Sequence, residues 1–315
     1  MSIAVVTPAY QAEHTLPAAL ASVAAQSVLP DEVVIADDGS TDATMAVARQ
    51  WEDRLPMRVV ATGGNLGPAA ARAAAISSSS SNLIALLDAD AAFLTDHLAL
   101  MRAAYDATDD GLASANTLRW IPGRVVSDRP LSALAPVPSR SEQLHWLLGG
   151  NHLSIGSLFS RARYDAVGGF RPEFHGTEDW DLWIRMVRAG AEVVRPSEPT
   201  LLYRLSAGSI SSEDRLVAAK LQVLDAAERE GRAEDHDVIA AARRKLTAAA
   251  ALHDAYRLAN QGRTMAARAA GLRARHGIRS VSLRGAAMAV APRTVARRRE
   301  QVRYDPAVWL RRYGP

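Results

Sequence analysis

The sequence predicts an α/β protein: a mostly parallel sheet with helices on its faces, followed by a C-terminal helical appendage. Three observations carry this reading. Short β-branched runs alternate with helix-period stretches over the first 120 residues, a polar cluster follows each apolar run, and from about Glu213 the chain becomes Ala-, Arg- and Leu-rich at helical spacing. With 315 residues, 48% of them hydrophobic and 23% charged, the chain has material for about two domains and is neither disordered nor fibrous.

The elements follow in order. Residues 3–7 read as a buried strand bounded by Pro8. Leu16, Leu20 and Val23 make one apolar helical stripe ending near Gln26, before Pro30 and Asp31. Strands at 32–36, 58–61 and 83–87 then alternate with helices at 41–51 and 68–76, which is βαβ punctuation. The serine run 77–81 reads as a solvated turn, and the Pro-, Ser- and Arg-rich 121–143 as a long surface excursion. Beyond 213, Gly231, Gly262 and Gly277 divide the appendage into three or four helices.

Charge is unevenly distributed. The formal net charge of +3 conceals a net −8 over residues 1–260 and +11 over 261–315, where thirteen arginines face only Glu300 and Asp305. The absence of cysteine excludes disulfides, thiolate metal sites and a cysteine nucleophile, and fits a reducing compartment. The N-terminus lacks a signal-peptide pattern, and no apolar stretch approaches the ~18 residues of a membrane span. A cytoplasmic, non-spanning protein is expected.

In an open parallel sheet, ligands bind beyond the carboxyl ends of the strands. Those ends carry Pro8-Ala9-Tyr10 with Glu13, Asp37 to Asp42, Gly63 to Pro68 with Arg72, and Asp88-Ala89-Asp90. Asp-Gly-Ser-Thr-Asp equally fits an ordinary strand-to-helix turn, and Gly-Gly-Asn-Leu-Gly equally fits a plain turn. Two carboxylates two residues apart at a strand mouth repel one another, and the usual compensation is a hard cation with oxygen ligands. No dinucleotide fingerprint, phosphate-binding P-loop, Gly-X-Ser-X-Gly or His-Glu-X-X-His occurs, so dinucleotide-binding, P-loop, serine-hydrolase and zincin readings fall.

A second cluster runs from Gly168-Gly169-Phe170 to Thr177-Glu178-Asp179-Trp180-Asp181. Thr177 is expected to cap a helix whose first turn is acidic, which by itself explains the carboxylates. The alternative is catalytic: Trp180 and Trp183 give a carboxylate the apolar wall that raises a pKa toward general-base duty.

Together these motifs resemble a family 2 glycosyltransferase with the GT-A, Rossmann-like fold. The resemblance rests on Thr-Pro-Ala-Tyr, Asp-Asp-Gly-Ser-Thr-Asp, Asn-Leu-Gly-Pro-Ala-Ala-Ala-Arg, Asp-Ala-Asp, Val-Gly-Gly-Phe, Thr-Glu-Asp-Trp-Asp-Leu-Trp-Ile-Arg and Tyr203-Arg204 with Ser209 and Ser211, in order across residues 3–212. It implies a catalytic domain at 1–212, with a nucleotide-sugar half at 1–115 and an acceptor half at 116–212, and a helical region at 213–315. It implies inverting transfer of a sugar from a nucleoside diphosphate donor, UDP foremost, to a hydroxyl on a natural product, polysaccharide or lipid-linked sugar. Pro8, Ala9, Tyr10 and Glu13 would line the base and ribose pocket, and Asp38 would read the uracil imide. Arg72 would approach the base or diphosphate, with Gly67 and Ala89 beside the donor. Asp88 would meet the ribose, Asp90 with Asp88 would hold Mn²⁺ or Mg²⁺, and Asp179 would be the base. Asn151, His152, Glu178 and Trp180 would face the donor sugar or acceptor.

Two positions depart from the family pattern: Ser206 stands where many relatives carry histidine, and Gln11 where asparagine is common. A scaffold protein of the same fold and a nucleotidyltransferase are the alternative readings. The basic tail, with Arg297-Arg298-Arg299 after a short apolar helix, either rests on an anionic membrane surface or acidic partner at the inner membrane face, or packs and pairs within the chain. Nucleic acid is disfavoured, since no aromatic platform accompanies the arginines.

Overall fold

A computed structural model describes residues 1–121, 124–125, 135–204 and 213–274. The first four strands are β1 (Ile3–Ala9), β2 (Glu32–Asp37), β3 (Met57–Ala61) and β4 (Leu83–Leu86), of which β3 is a half-buried edge. β1 and β4 are almost wholly buried, as expected for aliphatic strands covered on both faces. Parallel pairing of β3, β2, β1 and β4 brings their carboxyl ends to one edge. The helices α1 (Leu16–Ala24), α2 (Thr44–Arg49) and α3 (Pro68–Ser77) make the crossovers. Their positions agree with the apolar periodicity, although α2 begins three residues later than expected. Residues 41–43 serve the turn instead: the Asp42 carboxylate accepts from the Thr44 N–H and hydroxyl.

Two short strands follow the fourth crossing: β5 (Ala92–Phe93) and, after α4 (His97–Asp106), β6 (Leu112–Ser114). The 121–143 excursion is partly regular. β7 (Thr117–Ile121) and β8 (Arg124–Val125) enter it, α5 (Gln143–Leu148) closes it, and residues 126–134 lie outside the described set. The chain continues through β9 (Ser157–Ser160), α6 (Arg161–Ala166), α7 (Glu178–Arg188), β10 (Val193–Val194) and β11 (Leu201–Arg204). The main sheet has the order β10-β6-β9-β4-β1-β2-β3, with β9 antiparallel to both neighbours, and β5, β11, β7 and β8 form a second sheet. The core of the main sheet runs from Val5 and Leu20 through Ile35, Leu83 and Leu98 to Leu158.

The serine run is not simply solvated. Ser79 and Ser81 are buried, and the Ser80 N–H and hydroxyl both donate to the Glu32 carboxylate, fastening the end of α3 to the start of β2.

The chain divides into two compact units, one holding 1–147 and 151–204 and the other the helices after residue 212. The second holds α8 (Glu213–Glu230), α9 (His236–Asn260) and α10 (Thr264–Ala274), of which α9 and α10 pack largely through alanine, while α8 buries Leu216, Val223 and Leu224. Ala255, Ala259, Ala267 and Ala270 allow α9 and α10 to approach closely, and Arg243 bridges α9 to Asp225 and Glu228 of α8 at 2.5 and 2.8 Å. No helix among the described residues is long and apolar enough to cross a membrane. Residues 275–315, with the arginine cluster, lie outside the described set, as do Ser206, Ser209 and Ser211.

Candidate active site

The loops leaving β1, β2 and β3 are bound into one rim. Asp38, only 3% exposed, accepts from the Thr62 hydroxyl at 2.7 Å, the Leu66 N–H at 2.9 Å and the Gly67 N–H at 2.7 Å, while its own N–H donates to the Ala9 carbonyl at 2.8 Å. The carboxylate thereby fixes the loop after β3 while the backbone N–H ties Asp38 to the end of β1, and the carboxylate retains little acceptor capacity for a base. The buried Oδ1 of neighbouring Asp37 has no partner among the described residues. A Cβ on Gly39 would lie 3.0 Å from Gly64, so the two glycine loops meet backbone to backbone.

Gln11 takes a left-handed φ of 50° and accepts from the Thr41 N–H at 2.8 Å. The longer amide thus spans from the β1 loop to the turn before α2, a physical reason for glutamine here. Glu13 sits at the same turn, its Oε2 accepting from the Ala43 N–H at 2.8 Å and its Oε1 lying 3.3 Å from His14. Pro8 is half-buried, Ala9 is buried and Tyr10 is 48% exposed at the mouth of β1.

Arg72 joins the Asp88-Ala89-Asp90 end of β4 to the start of α7. Its buried guanidinium donates to Asp88 at 2.6 Å and to Glu178 at 2.5 Å, and lies over the Phe170 ring at 5.8 Å. The two carboxylates raise its pKa against the effect of burial. The repulsion expected between Asp88 and Asp90 is therefore relieved on the Asp88 side by an arginine of the chain itself. Among the described residues Asp90 receives no such contact: burial and then Asp88 push its carboxyl up to about 6, with Arg204 and Arg72 acting in the opposite direction. Arg204 stacks over Trp120 at 5.4 Å.

Asp88 and Asp90 are hard oxygen donors suited to a divalent ion, and Asp90 lacks a charge partner in contact among the described residues. No group of three or more His, Asp or Glu among the described residues is arranged to hold a metal, so further ligands would come from outside these side chains.

At the head of α7 the two adjacent acids differ. Glu178 is 4% exposed and locked onto Arg72, with Oε2 buried and unpartnered. Asp179 keeps a partly open edge; its Oδ2 accepts from the Asn151 amide at 3.0 Å and its Oδ1 from the Trp180 N–H at 2.7 Å. Burial first and Glu178 second push its carboxyl up to about 6, opposed by Asn151, Arg72 and the Trp180 N–H. Of this pair, Asp179 is the acid with a partly open edge and a raised carboxyl.

Trp180 and Glu178 are both buried: Trp180 is 1% exposed, and its indole donates to the Leu147 carbonyl at 2.8 Å. Thr177 occupies the N-cap position without capping; its hydroxyl donates to the Phe174 carbonyl. The macrodipole favours the acidic first turn, and the pairing of Glu178 with Arg72 adds to it. Exposed His175 approaches Gly67, where a Cβ would lie 2.9 Å from its Nδ1. His152 stacks on Trp146 at 4.9 Å, and Arg195 donates to the His152 carbonyl at 2.8 Å. Trp146 and Arg195 were not legible as site neighbours, since 43 residues separate Arg195 from His152 and no spacing links them.

Residues 4–167, just over half the chain, match the family described as glycosyl transferase family 2. The chain belongs to that family. Residues 140–205 of this family 2 chain also match a model described as the N-terminal domain of galactosyltransferase. Among relatives, the uncharacterised glycosyltransferase YwdF of Bacillus subtilis is 26% identical over 71% of this chain and 82% of its own length. The succinoglycan biosynthesis protein ExoU of Rhizobium meliloti is 32% identical over 60% of this chain and 58% of its own. The glucosyltransferase WfgD of Escherichia coli, named for UDP-Glc and a diphosphoundecaprenol-linked GlcNAc, is 24% identical over 67% and 79%. Of solved structures, S. aureus TarS 1-349 in complex with UDP-GlcNAc superposes with a TM-score of 0.64 at 17% identity, covering 97% of this chain and 94% of that one. The mannosyltransferase PcManGT of Pyrobaculum calidifontis, in complex with GDP-Man and Mn²⁺, gives 0.60 at 20%, covering 96% and 87%. These likenesses establish the GT-A fold.

Proposed function

We propose that this family 2 transferase moves a sugar from a UDP-sugar to an acceptor hydroxyl with inversion, using Asp179 as general base and a divalent cation at Asp88 and Asp90. The observation that carries the reading is the pair of environments at the head of α7. Glu178 is tied to Arg72, while Asp179, partly open and raised to about 6, is ionised yet basic near neutral pH. A single base fits attack on the anomeric carbon from the face opposite the leaving group. WfgD and TarS, named or solved with UDP-sugars, favour a UDP donor, and PcManGT with Mn²⁺ favours a divalent ion.

Each residue then has a task. Tyr10 and the rim held by Asp38 would receive the nucleobase; the partnerless Oδ1 of Asp37 adds an acceptor there. Arg72 fixes Asp88 and Glu178 rather than reaching the diphosphate itself. Asp90 and Asp88 would hold the metal, whose chemistry when bound is neutralisation of the departing diphosphate. Asp179 would take the proton of the acceptor hydroxyl. The diphosphoundecaprenol-linked GlcNAc in the name of WfgD, and the succinoglycan biosynthesis in that of ExoU, make a growing glycan the acceptor class favoured here.

UDP release from UDP-glucose, UDP-galactose and UDP-N-acetylglucosamine, each with and without Mn²⁺, tests the reading. Turnover that depends on the metal and is lost in Asp90→Ala is expected. Metal-independent turnover, or Asp90→Ala binding UDP in Mn²⁺ as tightly as the native chain, would remove the metal from the account.

A further inference from the structure

Asn151 stands in the loop between α5 and β9, 28 residues before the acid it touches. Its amide is oriented from both ends: Nδ2 donates to Asp179 Oδ2 at 3.0 Å, and Oδ1 accepts from the Leu153 N–H at 3.3 Å. The loop is pinned around it. The Arg195 guanidinium donates to the His152 carbonyl at 2.8 Å and to the Ala135 carbonyl at 2.6 Å, and the His152 ring lies on Trp146. Beyond, the Ser154 N–H donates to the Ser114 hydroxyl at 3.1 Å. A mere sugar-binding amide would not need its carbonyl oxygen consumed by the chain two residues on.

We infer that Asn151 is a positioning residue for Asp179, held in register by the His152–Arg195 bracket, and not a sugar contact. The inference rests on the reading of Asp179 as the base. Asp179 Oδ1 is already fixed by the Trp180 N–H of its own helix, so Asn151 supplies the one side-chain donor on the carboxylate among the described residues. With both oxygens held, the remaining lone pairs keep a fixed direction, as a general base requires. The donor also favours the ionised acid against burial and Glu178, and Arg72 adds to it from α3. It therefore keeps the base charged at neutral pH without a full counter-charge.

The test uses the whole chain with the three UDP-sugars above in Mn²⁺, together with the carboxyl ¹³C titration of Asp179, assigned by its loss in Asp179→Asn. Asn151→Ala is expected to lower kcat by roughly ten- to a hundredfold, to leave donor KM within about twofold of the native value, and to move both the acid limb of the rate and the Asp179 titration to higher pH. Arg195→Met, which touches neither acid, should shift all three in the same sense by less. A raised KM at unchanged kcat would make Asn151 a sugar contact and overturn the inference. An Asp179 titration unmoved in Asn151→Ala would overturn it as well, leaving the base reading intact if Asp179→Asn is inactive. Turnover by Asp179→Asn at the native rate would instead fell the base reading, and the inference with it.

Discussion

Asp179 titrates in a window that activity can read. Its carboxyl is raised to about 6, so the base form is lost as pH falls through that value. The rate kcat/KM is expected to rise with pH to a plateau above about 7, as a pH profile at saturating Mn²⁺ would record. Stability runs the other way. Asp179 and Asp90 hold protons more tightly folded than unfolded, so each subtracts stability as pH rises from the free carboxylate range near ~3.9 to about 6. Asp179→Asn should therefore gain on the native chain in melting temperature between pH 5 and pH 8. Arg72 is the opposite case: with two buried carboxylates on one guanidinium, Arg72→Met should cost ~3–5 kcal/mol by urea denaturation. The acids were legible as types at strand and helix ends. Their pairing was not, because the arginine that joins Asp88 to Glu178 lies 16 and 106 residues from them.

Among the elements, the central parallel strands and their crossover helices follow from apolar periodicity, since burial on both faces leaves no other pattern for residues 3–9 or 83–86. The short strands β5, β8 and β10, of two residues each, have no period to read. The loop after β3 shows what turn chemistry conceals: Gly63 to Gly67 reads as a turn, yet it is a rim fastened by Asp38 and closed against His175. Gly67 has φ 92° and a Cβ there would meet the His175 ring. Gly67→Ala should cost ~1–3 kcal/mol through backbone strain alone, and His175→Ala should recover only the steric part. Chemical denaturation of both single variants and the double variant separates the two.

For the whole molecule, the charge division acquires a structural counterpart. The negative body includes the unit that carries Asp88, Asp90 and Asp179, whereas the alanine-packed helices end at Ala274, ahead of ten of the thirteen arginines of the tail. Removing residues after 277 should leave donor affinity unchanged, measured as the melting shift with UDP and Mn²⁺. A donor at a hundredfold excess over its dissociation constant adds ~2.7 kcal/mol, well within detection. The central claim is that Asp179 is the base of a glycosyl transfer. Its most direct test is single-turnover UDP formation by Asp179→Asn beside titration of UDP binding in Mn²⁺. The account predicts native UDP affinity with UDP formation slowed by ~10²-fold or more. UDP formation at the native rate with native affinity would contradict it.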